Sequence, residues 1–354
     1  MLPMTTPALK VDALAWYPDS QQMRDQYTFK SAFGDVVEAW MAHPHEKGLI
    51  GIPRMLAPQP TPENDHRAVG MVMDYTTKLK FKPRNMTQTC ILAQAKQILG
   101  QGRSFVLQAG TGTGKTILSG VMMNMVNRKT IIVVDQENIM EQWKEMLRTI
   151  LGLHDDEIGV IQGDICQIKG KKVVIAMLHS ISKIGRYPEY VYDEFGLAIF
   201  DEVHVCAAEQ FKNAMYLIKA AIRIGLSATP YRKDGKHKLI FGSLGQVEIV
   251  HEGTPLVPKV LLAKSPWVVP KTVRIDDYGF KKVVKLPHSA GKTMHVNKAL
   301  ARDHDRNMMI ANFVRQAYQA GRNIVIFSDL KDYHLNRIHD ALVACGIPTA
   351  DIGR

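Results

Sequence analysis

The sequence predicts an α/β protein built on a parallel sheet, and three observations carry that expectation. Short β-branched runs alternate with helical periods from about Arg84 to Val250. The runs are apolar along their length, as strands covered on both faces of a parallel sheet must be. A glycine-rich loop, Ala109–Thr116, stands between one such run and the helix that follows it.

Taken in order, residues 1 to about 50 mix aromatic and acidic residues without a clear period. The stretch Gly51–Arg67 then carries Pro53, Pro58, Pro60 and Pro62. Prolines that dense oppose a regular helix or a central strand. A small N-terminal DNA-binding or accessory domain, residues 1–75, with a Pro-rich linker is therefore expected. Within residues 76–252, strands are expected at Phe105–Leu107, Thr130–Val134, Val173–Met177, Leu197–Phe200 and Ile222–Leu226. Ile117–Val126 has apolar residues at 117, 118, 121, 122, 125 and 126, the stripe of an amphipathic helix packed on a sheet. Residues 253–354 are expected to connect to a second such unit, with Asn323–Phe327 as strand and Leu330–Ala344 as helix. One βα unit cannot close a sheet, so a longer parent protein is expected.

Composition narrows the function classes. The chain has 354 residues, a formal charge of +11, 46% hydrophobic and 22% charged residues. That is ordinary globular composition, and it excludes disordered and fibrous readings. No apolar run approaches the ~20 residues of a membrane helix. The start, MLPMTTPALKVD, lacks the apolar core of a secretory signal. Four cysteines (Cys90, Cys166, Cys206, Cys345) show no metal or disulfide spacing. A soluble, cytoplasmic protein without a membrane partner is expected. Positive charge is densest in residues 255–354, with 16 Lys+Arg, 8 Asp and no Glu. Such an excess invites a polyanion, most often nucleic acid.

The loop Ala109-Gly110-Thr111-Gly112-Thr113-Gly114-Lys115-Thr116 has the make-up of a phosphate cradle. Glycines let backbone N–H groups curl around phosphate oxygens, and the helix start adds partial positive charge. Lys115 is expected to reach the β/γ-phosphates and Thr116 to hold Mg²⁺, with ATP as the nucleotide. A second GKT, Gly291–Thr293, follows no such loop and is expected to be chemically silent. Hydrolysis further needs carboxylates at a neighbouring strand end. Leu197–His204 (LAIFDEVH) supplies them: Asp201 for the metal and Glu202 to polarise the attacking water.

These residues carry a family resemblance. Asp201-Glu202-Val203-His204 resembles a DEVH box, and Ser227-Ala228-Thr229 resembles the S/T-A-T motif of superfamily 2 helicases. Gly225–Gly235 (GLSATPYRKDG) is similar to the corresponding run of the XPB/UvsW-type DNA helicases. Lys82–Gln88 resembles the adenine-reading Q-motif, with Arg84 and Gln88 at the nucleotide. Val133–Trp143 resembles motif Ia, with Asp135 in place of proline, and Val173–Ser180 the next DNA-facing motif, with Met177 in place of threonine. Ile324–Asp329 resembles motif IV. The resemblance covers roughly residues 80–354 and extends to phage recombination helicases of the T5-like kind.

The resemblance implies two RecA-like domains, the second incomplete here. It implies a catalytic set of Lys115, Asp201, Glu202 and His204, and a coupling role for Ser227, Ala228 and Thr229. It places Gln142, Trp143, His179, Ser180, Arg232, Lys233 and Ser328 toward DNA. The implied activity is an ATP-dependent, 3′–5′ DNA helicase or translocase on forked, branched or duplex DNA. It would act as a monomer, in the host cytoplasm if phage-encoded. The family's arginine fingers lie beyond motif V, so the 354-residue form is expected to hydrolyse ATP poorly. Two alternatives stand beside this: an RNA-dependent DExH helicase, and a nucleotide-gated binding module without turnover.

Overall fold

A computed structural model describes residues 6–75, 79–251, 262–264, 271–275, 281–285, 293–328 and 330–353. The chain divides into two units, Met1–Leu256 and Val257–Arg354.

The first unit opens with β1 (Lys10–Val11), β2 (Leu14–Pro18), α1 (Gln21–Gln26), β3 (Thr28–Lys30), β4 (Val36–Glu38), β5 (Met41–Ala42) and β6 (Leu49–Pro53). Four of these form an antiparallel sheet in the order β1-β2-β6-β5, and β3 pairs with β4 as a separate hairpin. The large sheet follows. Its elements are α2 (Met86–Gly100), β7 (Phe105–Ala109), α3 (Lys115–Val126), β8 (Thr130–Val134), α4 (Glu137–Ile150), β9 (Ile158–Gln162), β10 (Ile165–Cys166) and β11 (Val173–Met177). Then come α5 (Leu178–Ile181), α6 (Tyr190–Asp193), β12 (Leu197–Phe200), α7 (Asn213–Leu217), β13 (Ile222–Ser227), α8 (His237–Leu244) and β14 (Val247–His251).

The strand order is β10-β9-β11-β8-β12-β13-β7-β14, parallel throughout except for the antiparallel edge pair β9–β10. All five expected strands are present, as is the helix expected after the glycine-rich loop. Successive strand residues alternate between the sheet's two faces. Val106, Val133, Ala176 and Phe200 join one core; Leu107, Val134, Ile175 and Ile199 join the other, beneath α2, α3 and α4. Burial on both faces explains why these strands read as unbroken apolar runs.

The N-terminal sheet is not set apart from this body. Leu14, Trp16, Ile50 and Ile52 share one core with Val106, Val133 and Phe200, and the division of the chain falls at residue 256, not near residue 75. The Pro-rich stretch also differs from the linker expected. It begins inside β6, where Pro53 occupies the last position, opposite Leu14. A missing N–H there interrupts only the end of the ladder. Next to it, buried Arg54 donates to the carbonyls of Asp12 (3.2 Å), Ala220 (2.8 Å) and Ala221 (2.8 Å). Arg223, fully buried on β13, donates to the carbonyls of Ala13 and Ser243, each at 3.0 Å. Two guanidinium groups thus staple the N-terminal sheet to the base of β13. Burial depresses both, Arg223 to about 9.

The second unit contains β15 (Lys271–Ile275) and β16 (Lys281–Lys285), which pair as an antiparallel hairpin, then α9 (Thr293–Arg302), α10 (His304–Gln319) and α11 (Lys331–Ala344). Ala311 of α10 packs with Ile338, Ala341 and Leu342 of α11 and with Ile347. The helix expected at 330–344 is present. The strand expected at Asn323–Phe327 is not: among the described residues no strand runs beside it, and without a ladder its β-branched residues stay out of any sheet. Phe327 is 91% exposed and Val325 73%. Of the second GKT, Gly291 and Lys292 lie outside the described residues, as does Asp329 of the motif IV segment.

Candidate active site

The carboxyl ends of β7, β12 and β13 lie side by side, because β13 pairs with both of the others. Open parallel sheets bind ligands at that edge. Each strand there runs into one of the motifs.

After β7 the chain turns sharply. Gly112 (φ +82°) and Gly114 (φ +87°) adopt left-handed conformations that glycine tolerates without strain. A Cβ on Gly114 would also lie 3.0 Å from Gln88 Nε2. Gly110 N–H donates to the His251 carbonyl (3.2 Å), and the Thr113 hydroxyl donates back to the Gly110 carbonyl (2.7 Å). Lys115 Nζ donates to the Ala109 carbonyl at 3.0 Å, so its amine lies across the loop it opens from. Ala109 itself is a buried strand residue paired with His251, which is why a methyl group is accepted there. Thr111 and Gly112 are exposed; Thr113 and Thr116 are half-buried.

Gln88 is buried near the start of α2, whose Asn85 cap accepts from its backbone N–H at 3.0 Å. Its amide donates to the Thr113 carbonyl (2.9 Å) and accepts from Arg84 N–H (2.9 Å). The amide thus ties the Gly110–Thr116 loop, through Thr113, to the segment before α2, through Arg84, while the Arg84 side chain is exposed.

At the end of β12, Asp201 is held from two sides. Trp143 Nε1 donates to its Oδ2 at 2.7 Å, and Glu202 N–H donates to its Oδ1 at 3.0 Å. Burial pushes the Asp201 carboxyl up, against these two donors and Lys115, which favour its ionised form. Glu202 adopts φ +43°, ψ 50°, a left-handed conformation rare outside glycine and of the kind that gathers at functional sites. That turn sets its Oε2 3.3 Å from His204 Nδ1. The hydrogen bond to His204 is the main cause that holds the Glu202 carboxyl below its ordinary range.

His204 Nδ1 also lies 3.0 Å from the Ser227 hydroxyl. A carboxylate cannot face a bare ring lone pair, so the proton sits on Nδ1. Ser227, fully buried at the end of β13, accepts in turn from Thr229 N–H at 3.0 Å. Ala228 is half-buried and Thr229 exposed. A second link runs parallel to this one. Arg232 Nη1 donates to the His204 carbonyl at 2.7 Å, while its fork meets Asp234 at 3.0 Å (Nε to Oδ1) and 2.6 Å (Nη2 to Oδ2). Arg232 holds the Asp234 carboxyl down to about 2.

The residues expected to face DNA divide. Gln142, His179 and Lys233 are exposed. Trp143 has no exposed surface, so it is corrected from a DNA contact to a partner of Asp201. Ser180 is also corrected: it is fully buried and accepts from Gly163 N–H at 3.0 Å. Arg232 is largely spent on Asp234 and His204. Ser328, in the second unit, bonds His334 Nδ1 at 2.8 Å and accepts from Leu330 N–H at 3.2 Å. Sequence reasoning missed the Trp143–Asp201 bond and the Arg232–Asp234 fork; the close Arg-x-Asp spacing in YRKDG was the available signal for the second.

Thr116 and Asp201 are hard oxygen donors, and among the described residues no cluster of three metal-ligating side chains exists. That donor set fits Mg²⁺, which keeps several waters and is held by one or two carboxylates together with substrate phosphates.

Residues 80–232 match the family model described as "Type III restriction enzyme, res subunit". Among curated proteins, an ATP-dependent RNA helicase of Acanthamoeba polyphaga mimivirus is 24% identical over 79% of this chain and 52% of its own length. The DNA 3′-5′ translocase XPB2 of Sulfurisphaera tokodaii is 34% identical over 46% of this chain and 34% of its own. A helicase of Escherichia phage T5 is 30% identical over 45% of this chain and 32% of its own. The chain thus spans between about a third and a half of the length of these relatives.

Proposed function

We propose that the chain is a superfamily 2 helicase of the UvsW/XPB-like type and that it serves an ATP-dependent DNA helicase or translocase that remodels forked or branched DNA in the 3′–5′ direction. The observation that carries the reading is the chain of contacts Lys115–Ala109, Trp143–Asp201–Glu202, Glu202–His204 and His204–Ser227, which spans three adjacent strand ends.

The chemistry follows from those positions. ATP phosphates enter the loop Gly110–Thr116, where backbone N–H groups and the start of α3 favour negative charge. Lys115 leaves the Ala109 carbonyl and moves to the β/γ-phosphates. Thr116 and Asp201 are the side chains that would hold Mg²⁺, which neutralises the charge developing on the phosphate oxygens when bound. Glu202, kept ionised by the His204 N–H, accepts a proton from the attacking water. His204 then feels the change of charge on Glu202 and passes it to Ser227 and, through its own carbonyl, to Arg232.

The DNA reading is supported by the GLSATPYRKDG run and by the translocase relative, named for DNA. The mimivirus relative, named for RNA, favours the second reading, an RNA-dependent helicase. Phosphate contacts do not separate the two, whereas the 2′-OH does. The test is ATP turnover alone and with duplex DNA, forked DNA or RNA, with Lys115→Ala as control. Strongest stimulation by forked DNA is expected. Stimulation by RNA alone would replace the substrate, and no turnover under any condition would leave a binding module.

A further inference from the structure

The β3–β4 hairpin ends in a turn, Ser31–Asp35, built more firmly than a surface loop requires. The Ser31 hydroxyl accepts from Phe33 N–H (3.2 Å) and Asp35 N–H (3.1 Å), and Ser31 N–H donates to the Asp35 carbonyl (2.8 Å). Gly34 takes φ +89° to close it. This turn leaves Phe33 75% exposed and the neighbouring Val36 65% exposed. A phenylalanine left in water forgoes the free energy of burial, so an ordered turn that presents one asks for an occupant.

The turn is fastened to the loop after Ser227-Ala228-Thr229. Ala32 N–H donates to the Asp234 carbonyl at 2.9 Å, Lys236 Nζ pairs with Asp35 at 3.5 Å, and Lys238 Nζ lies 5.3 Å above the Phe29 ring. On the loop's side of that junction Tyr231 is 60% exposed, its ring edge-on to His237 and Phe241. Each of the two segments that the Ala32–Asp234 hydrogen bond joins therefore carries one exposed aromatic residue. Tyr231–Lys238 holds four Lys or Arg against one carboxylate, and the hairpin adds Lys30, Asp35 and Glu38. Arg232, Lys236 and Lys238 are engaged by Asp234, Asp35 and Phe29, which leaves the exposed Lys30 and Lys233 as the cations on offer.

We infer that Phe33 and Tyr231 form a stacking platform for unpaired bases of a single-stranded nucleic acid, with Lys30 and Lys233 taking its phosphates. The inference rests on the nucleic-acid reading above and names the strand form this face accepts. Open rings with cations beside them suit a chain that alternates bases and phosphates. Duplex hides its base faces in the stack, so only an unpaired strand offers them. An apolar protein partner would use the rings but gain nothing from the lysines.

The experiment measures binding of a labelled 20-nucleotide oligothymidylate and of a 20-base-pair duplex to the full chain by anisotropy. Phe33→Ala and Tyr231→Ala are each expected to weaken single-strand binding about 5- to 150-fold, the range for losing one base stack. Duplex binding and the unfolding midpoint should stay unchanged for Phe33→Ala, and Phe33→Trp should restore the single strand. Single-strand binding by Phe33→Ala within twofold of the parent would overturn the platform. Full rescue by Phe33→Leu would also overturn it, pointing to an apolar protein contact. A parent chain that binds neither probe would instead remove the nucleic-acid reading itself.

Discussion

The indole N–H of Trp143 donates to the Asp201 carboxylate across 2.7 Å, tying the helix after β8 to the strand end that carries the DEVH residues. A fully buried tryptophan thus orients one oxygen of the expected metal-binding carboxylate, while the backbone of Glu202 orients the other.

Trp143→Phe should therefore destabilise the first unit and slow turnover. The ring's packing is kept, but a buried carboxylate oxygen loses its donor, a loss that costs about 1–3 kcal/mol. Urea unfolding measures the stability, and the Mg²⁺ concentration for half-maximal ATPase should rise. A variant with parental stability and an unchanged Mg²⁺ requirement would mean that the contact has no functional weight.

Glu202→Gln should bind Mg-ATP and turn it over at least ~10²-fold more slowly, the scale usual for losing a general base. The amide keeps the side chain's shape and its approach to His204, so the left-handed turn at residue 202 should survive. Loss of nucleotide binding would instead make Glu202 a ligand or a structural residue.

The Arg232–Asp234 fork gives a prediction about pH. Asp234 is depressed from an ordinary 3.8 to about 2, so it contributes stability above the higher value and loses it as the pH falls through the lower. Asp234→Asn should be destabilised by a constant amount from neutrality down to about pH 4, with the gap to the parent narrowing below that. Urea midpoints at stepped pH measure this. A gap unchanged down to pH 3 would show that the fork's charge is not what holds the loop.

Much of this arrangement was legible in the sequence because it rests on local pattern. Ile131–Val134 and Leu197–Phe200 read as buried parallel strands, and GTGTGKT between a strand and a helix left little freedom. What escaped was set by long-range packing. Nothing in the spelling of residues 133–143 says that Trp143 faces inward; only the α4 face that packs on the sheet decides it. The Pro-rich run misled because Pro53 stands at a strand's end, where its missing N–H costs little. Asn323–Phe327 has strand composition, but a strand exists only beside another, and the pattern of one segment does not supply its neighbour.

The last prediction concerns Ser227. Its hydroxyl stands between His204 Nδ1 and Thr229 N–H, so it joins the turn of Glu202 and His204 to the loop that carries Tyr231 and Lys233. Arg232 makes the same connection through the His204 carbonyl, which leaves a second link when the first is cut. Ser227→Ala with Thr229→Ala should therefore leave Glu202 ionised and ATP hydrolysis largely intact, while unwinding of a forked duplex falls severalfold. Adding Arg232→Ala should remove the remaining link and deepen the unwinding defect well beyond the double variant. The check is a paired measurement, on properly folded full-length protein, of DNA-stimulated ATPase and strand separation. Coupling requires the two activities to part company. If hydrolysis and unwinding fell in equal proportion, Ser227 would be supporting His204 itself and carrying no signal toward the loop that carries Tyr231 and Lys233.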